Sequence, residues 1–161
     1  MPKAAPSPQR QLDGFIRRYS PEMQKRAKST IRKMRARLPG AVELVYDNYN
    51  WLVVGYGPND RASEAVFSLA LAPQWVTLCF LRNGPRIPDP KKLLRGNGTR
   101  VRHIRLSDAG DLDKPTISNL MGHAERLAGD PFPKRAPRKL VIKSISTKQR
   151  SRRPPPAKAK R

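Results

Sequence analysis

Apolar residues at the start of the chain recur at helical spacing. Leu12, Phe15, Ile16 and Tyr19 predict a short lead-in helix from Gln11. Ser20 can then cap a second helix, Pro21 suits its first position, and Glu22 meets the positive end of its dipole. Met23, Ala27, Ile31, Met34 and Leu38 continue as one apolar stripe, so the spacing predicts a helix over residues 20–38 that Pro39-Gly40 ends. Beyond Gly40 the period falls to two. Val42, Leu44 and Tyr46 alternate with Glu43 and Val45, and the run from Trp51 to Tyr56 is rich in β-branched and aromatic residues.

Further strands follow at short intervals. Residues 65–81 carry no charge for 17 positions. That is near the shortest membrane span, but Pro73-Gln74 divides the run into two strand-length halves that contain Ser68 and Thr77, so a buried hairpin is expected. Arg100 to Leu106 predicts another strand, with Val101, Ile104 and Leu106 apolar. In the loop between them, Asp89 can cap a short helix that starts at Pro90, buries Leu93 and Leu94, and stops at Gly96. Connections this short make the sheet antiparallel. Finally Ile117, Leu120, Met121, Ala124, Leu127 and Ala128 form a second clean stripe, which predicts a helix over 114–128 capped by Asp113 and ended by Gly129.

These elements give an α+β fold: an antiparallel sheet with two main helices packed on one face, because two apolar stripes need one common surface to bury. The domain covers residues 11–128. Residues 1–10 have the composition of a disordered leader, and residues 129–161 that of a basic, Pro-rich and mostly disordered tail in which Leu140 to Ile145 could form an edge strand.

Charge changes the functional picture more than the structural one. Lys and Arg number 34 against 12 Asp and Glu, for a net +22, and the last 33 residues supply +11 of it. Such a chain attracts anionic partners at low salt whatever its fold. The second helix carries Lys25, Arg26, Lys28, Arg32, Lys33 and Arg37, and the later loop and strand carry Lys91, Lys92, Arg95, Arg100 and Arg102. All are candidates for binding nucleic acid or another polyanion, with a solvated helix face as the plain alternative. Trp51 and Trp75 fall in expected strands and the tail holds only Phe132, so contact with phosphates or a duplex is expected in preference to base stacking.

The candidates for catalysis are few. Gly96-Asn97-Gly98-Thr99 lacks the spacing of a dinucleotide fingerprint or a P-loop and reads as a tight turn, although its amides beside basic residues could hold an anion. Neither a G-x-S-x-G elbow nor a cysteine–histidine partnership is evident. His103 and His123 have no second ligand at metal spacing. Asp108, Asp111 and Asp113 form the one dense carboxylate cluster, with Asp108 and Asp111 the candidate cation ligands and turn or cap duty the alternative. Enzyme is the minority reading. The single cysteine, Cys79, cannot form an internal disulfide, and the N-terminus has no apolar signal core, so a cytoplasmic setting with no membrane partner is expected.

Several residues carry a resemblance. Pro39-Gly40-Ala41, Glu43 with Tyr46, the strand Val76 to Leu81, Asp89-Pro90 with Leu93-Leu94, Gly96-x-Gly98, and Arg102 with Ile104 together resemble the bacterial YdhG-like domain family across about residues 11–128. The resemblance implies a compact α+β domain, similar in outline to frataxin, of unassigned function. It also implies an alternative to polyanion binding, a role in intracellular iron handling with iron as the bound metal. The first long helix here is basic, where frataxin-like iron binding favours an acidic one.

Overall fold

In the computed structural model, which describes residues 5–134 and 137–155, both N-terminal helices begin on a capping serine. Ser7 accepts the Arg10 amide at the start of α1 (Pro8–Arg17), and Ser20 accepts the Met23 amide at the start of α2 (Pro21–Arg37). Helix α1 therefore begins inside the expected leader, drawn in by the burial of Leu12 and Ile16. Helix α3 (Pro115–Leu127) ends at Gly129 in the left-handed region, φ 82°, as its composition predicts. Its start differs from expectation. Lys114 holds the cap position, while Asp113 closes a 3-10 turn (Ala109–Asp113) packed on α2, where Lys33 takes its carboxylate.

Strands β1 (Val42–Asp47), β2 (Leu52–Gly57), β3 (Phe67–Leu71), β4 (Val76–Phe80) and β5 (Arg102–Leu106) form the expected antiparallel meander. After β5 the chain returns through α3 to the far edge, where β6 (Lys139–Ile145) pairs parallel with β1; the sheet order is β5-β4-β3-β2-β1-β6. The fold is α+β with a six-stranded mixed sheet.

Strand β6 corrects the assignment of residues 129–161 to a mostly disordered tail. Without it β1 would leave a row of unpaired backbone groups at the sheet edge. Leu140 and Ile142 also pack on the helix side of the sheet, and Val141 on the other. The chain continues in order past β6: Gln149 bonds Asp47 and Arg152 is buried against it. The run Leu140 to Ile145 does form the edge strand that its sequence allowed, within flanks whose basic, Pro-rich composition reads as disorder. Residues 1–4 of the expected leader, and 135–136 and 156–161 of the expected tail, lie outside the described residues.

All three helices pack on one sheet face. The main core joins Leu12, Met23, Ile31, Met34, Leu120 and Met121 to Val45, Leu52, Val54, Phe67, Leu78 and Phe80. Alternation along β1 sends Glu43 and Asp47 to this covered face, each 1% exposed. A carboxylate buried so completely needs a partner. Arg35 of α2 grips Glu43 with Nε at 2.9 and 3.1 Å from its two oxygens, and Arg152 meets Asp47 at 3.0 Å. The opposite face carries only a small cluster of Val42, Leu44 and Ala65, with Tyr46, Leu81 and Val141 at its margin.

The loop after β4 holds no short helix at Pro90. Asp89 does accept amides, from Leu93 at 2.9 Å and Leu94 at 2.8 Å, but these lie two residues further on than a helix cap would take. Lys92 at φ 51° breaks the helical path between them. The outcome is a single turn that returns the chain along the β5 edge.

Candidate nucleic-acid interface

Strand register builds the site on the face that the helices leave uncovered. One cross-strand row runs Tyr46, Val53, Ala70, Thr77, Arg105, and the next runs Leu44, Gly55, Ser68, Cys79, His103. Arg95 extends the second row: its backbone exchanges both hydrogen bonds with His103, at 2.8 and 3.0 Å, so its side chain shares that face. Trp51 at the entry to β2 and Trp75 at the entry to β4 stand at the same end of the sheet. Between them lies a trough of about 760 Å³, floored by Ala70 and Thr77 and bordered by Lys92, Arg95 and Arg105, with no carboxylate in its lining. Trp51 is 39% exposed, and the Arg105 guanidinium lies 4.2 Å from the centre of the Trp75 ring. A second such pair, Arg150 over Tyr49 at 5.5 Å, sits on the β1–β2 turn beside Trp51.

This arrangement offers planar groups and positive charge without an activated nucleophile. Cys79 and His103 are cross-strand neighbours. Burial, however, pushes the Cys79 thiol up, and the group that eases it is the Ser68 hydroxyl, not an imidazolium. A protonated thiol is a poor nucleophile at neutral pH. Burial raises the Tyr46 phenol likewise, so it too stays neutral.

The basic residues expected to bind a polyanion divide into three groups. Three of the six on α2 serve the fold. Arg26 donates to the carbonyls of Gln74, Leu106 and Ser107 at 2.9–3.2 Å, Lys33 holds Asp113, and Arg37 holds Glu125 at 3.1 Å and the Ser118 hydroxyl at 2.9 Å. Lys25, Lys28 and Arg32 are exposed along one stripe of α2, on the opposite side of the domain from the trough. Lys92 and Arg95 line the trough, Lys91 borders a separate cleft, Arg100 is exposed, and Arg102 folds back on the Val101 carbonyl at 2.9 Å. Gly96 of the expected tight turn has φ 109° and leads into Gly98, whose carbonyl Arg102 also engages.

The two candidate cation ligands do not form a site together. Asp111 is buried and occupied, accepting the Ser107 amide at 2.7 Å and pairing with Lys114 at 2.8 Å, whereas Asp108 is exposed. Among the described residues no three His, Cys, Asp or Glu side chains gather where they would hold a metal ion. Also among the described residues, no helix is long and apolar enough to cross a membrane.

Sequence reasoning missed Trp51, Trp75, Arg105 and His103. Membership in a strand does not bury a side chain; alternate residues face away from the helices. A usable signal was present, since Gly55, Ser68, Ala70 and Thr77 place small or polar groups on one face of three consecutive strands, where a helix-covered face would carry large apolar ones. No protein-family profile, curated protein or solved structure matches the chain.

Proposed function

We propose that the protein is a non-enzymatic binding module for nucleic acid or a related polyanion, and that the uncovered sheet face is its binding surface. The observation that carries this reading is the gathering of Lys92, Arg95 and Arg105 around Trp51 and Trp75 in a trough lined by no acid. A net charge of +22 supplies long-range attraction toward the trough and the exposed Lys25–Arg32 stripe alike. A cytoplasmic setting and membership of the YdhG-like family belong to the same proposal. The first is supported by the lone, unbridged Cys79, the second by the motifs from Pro39 to Ile104 and by an α+β domain of the implied outline.

The test is a salt series with the full chain and a labelled oligonucleotide. Contacts to six to ten phosphates lower affinity roughly a thousand- to hundred-thousand-fold between 50 and 200 mM salt. Changing Lys92, Arg95 and Arg105 together to Gln reduces the slope of log affinity against log salt by about 3. If the slope is unchanged, the trough is not the binding surface. If the same loss follows from Lys25, Lys28 and Arg32 instead, the helix stripe is.

A further inference from the structure

We propose that the trough takes single-stranded nucleic acid, with unpaired bases stacked on Trp51 and on the Trp75–Arg105 pair. This rests on the polyanion reading above and specifies its ligand. The face is too broad to enter the major groove of an undeformed duplex. The sheet is six strands wide, which at about 4.8 Å per strand spacing is roughly 24 Å, whereas the major groove admits an object of about 12 Å. Against an undeformed duplex the face would touch mainly phosphates, and its aromatic rings would meet no base face.

A single strand presents what the face can use. Its bases are free to leave one another and stack on an aromatic ring or a guanidinium plane, while Lys92 and Arg95 at the β5 side meet the phosphates. Trp51 and Trp75 stand at the entries to β2 and β4 with β3 between, two strand spacings or about 10 Å apart. Ala72, just past the end of β3, lies opposite Trp75 and bonds its carbonyl, and Ala70 lies one cross-strand row further in, so only small side chains stand between the two rings. Arg105 lies over Trp75 and also provides a planar cation on which a base can rest.

The chain carries its own reporters for this proposal. It has two tryptophans and one cysteine, and all three line the trough. Intrinsic fluorescence of the full-length protein is titrated with oligo-dT, oligo-U, a duplex of equal charge, and heparin at one low salt concentration. Single strands are expected to quench the tryptophans, slow the alkylation of Cys79 at alkaline pH where its thiol ionises, and bind more tightly than duplex or heparin. Trp51→Ala and Trp75→Ala are each expected to weaken single-strand binding roughly 5- to 150-fold while leaving heparin affinity unchanged, with Phe at either position restoring much of the loss.

Equal affinity for single strands, duplex and heparin, unmoved by either Trp substitution, would overturn this inference and leave the polyanion reading intact. Absence of binding to any of them would overturn both. A tryptophan signal that depends on protein concentration without oligonucleotide would mark the face as a contact between copies of the chain, and would also overturn the inference.

Discussion

Arg152 and Asp47 lie 105 positions apart in the sequence, yet their side chains meet at 3.0 Å and are each only 1% exposed. The pair ties the C-terminal segment to the end of β1. Asp47 also accepts Gln149 at 2.8 Å and lies 3.4 Å from Arg18, and Arg152 reaches the Asn48 carbonyl. Breaking a buried pair by removing one partner strands the other charge, at about 3–5 kcal/mol. Arg152→Ala is expected to cost about 3 kcal/mol, the lower end, because Gln149 and Arg18 remain for Asp47. Urea unfolding measures it. In a double-variant cycle, Asp47→Asn made in the Arg152→Met background should cost less than it does alone; strict additivity would show that the two charges do not couple.

Removing residues 137–161 should destabilise the domain more than Arg152→Ala alone. The truncation removes β6 as well, which exposes the β1 edge and uncovers the side of the core that Leu140 and Ile142 close. The expected result is a lower unfolding midpoint with concentration-dependent aggregation. A truncated protein as stable as the full chain would show that β6 adds nothing to the domain.

The meander and both long helices were legible because each rests on a local signal: a cap, a stripe, or an alternation. Ser20-Pro21 starts α2 and Gly129 ends α3 as the residues require. Strand β6 was only partly legible, since its reason to form is the unpaired edge of β1, which is not visible in its own sequence. The site was less legible still. Lys92 and Arg95 stood among the candidates, but Arg26, Lys33 and Arg37 looked equally free, and only tertiary contacts show that carbonyls and carboxylates already hold them. Trp51 and Trp75, expected within strands, stand one residue before β2 and β4, and which sheet face the helices leave open depends on packing.

Leu120 and Met121 test the α3 contact. Both are buried in the main core, but Leu120 also borders a cleft of about 340 Å³ between α3 and the Pro88–Leu93 loop, whereas Met121 is fully enclosed. Truncating a buried leucine or methionine costs about 2–5 kcal/mol, with the larger values where the vacated space cannot relax or refill. Leu120→Ala should fall near the lower end and Met121→Ala near the upper. Chemical denaturation of both variants gives the order, and the reverse order would mean that the cleft is not the soft side of the helix.

Asp111 makes stability depend on pH at the acid end. Burial alone would raise its carboxyl, but the Lys114 ammonium and the backbone amides, Ser107 foremost, outweigh burial and hold it below the ordinary Asp value. A carboxyl depressed in the folded state binds its proton less readily than in the unfolded chain. Its contribution is therefore complete above the ordinary value, near pH 4, and is lost as pH falls through the lowered folded value. Lys114 shows the other half of the pair: hydrogen bonding to Asp111 raises its ammonium, so that contribution holds below the ordinary lysine value and fades only at strongly alkaline pH. Asp111→Asn keeps an oxygen for the Ser107 amide but removes the titration. Unfolding free energies measured from pH 6 downward should show wild type losing its advantage over Asp111→Asn as the solution is acidified below about pH 4. Parallel curves for the two proteins would show that the Asp111–Lys114 pair contributes nothing in solution.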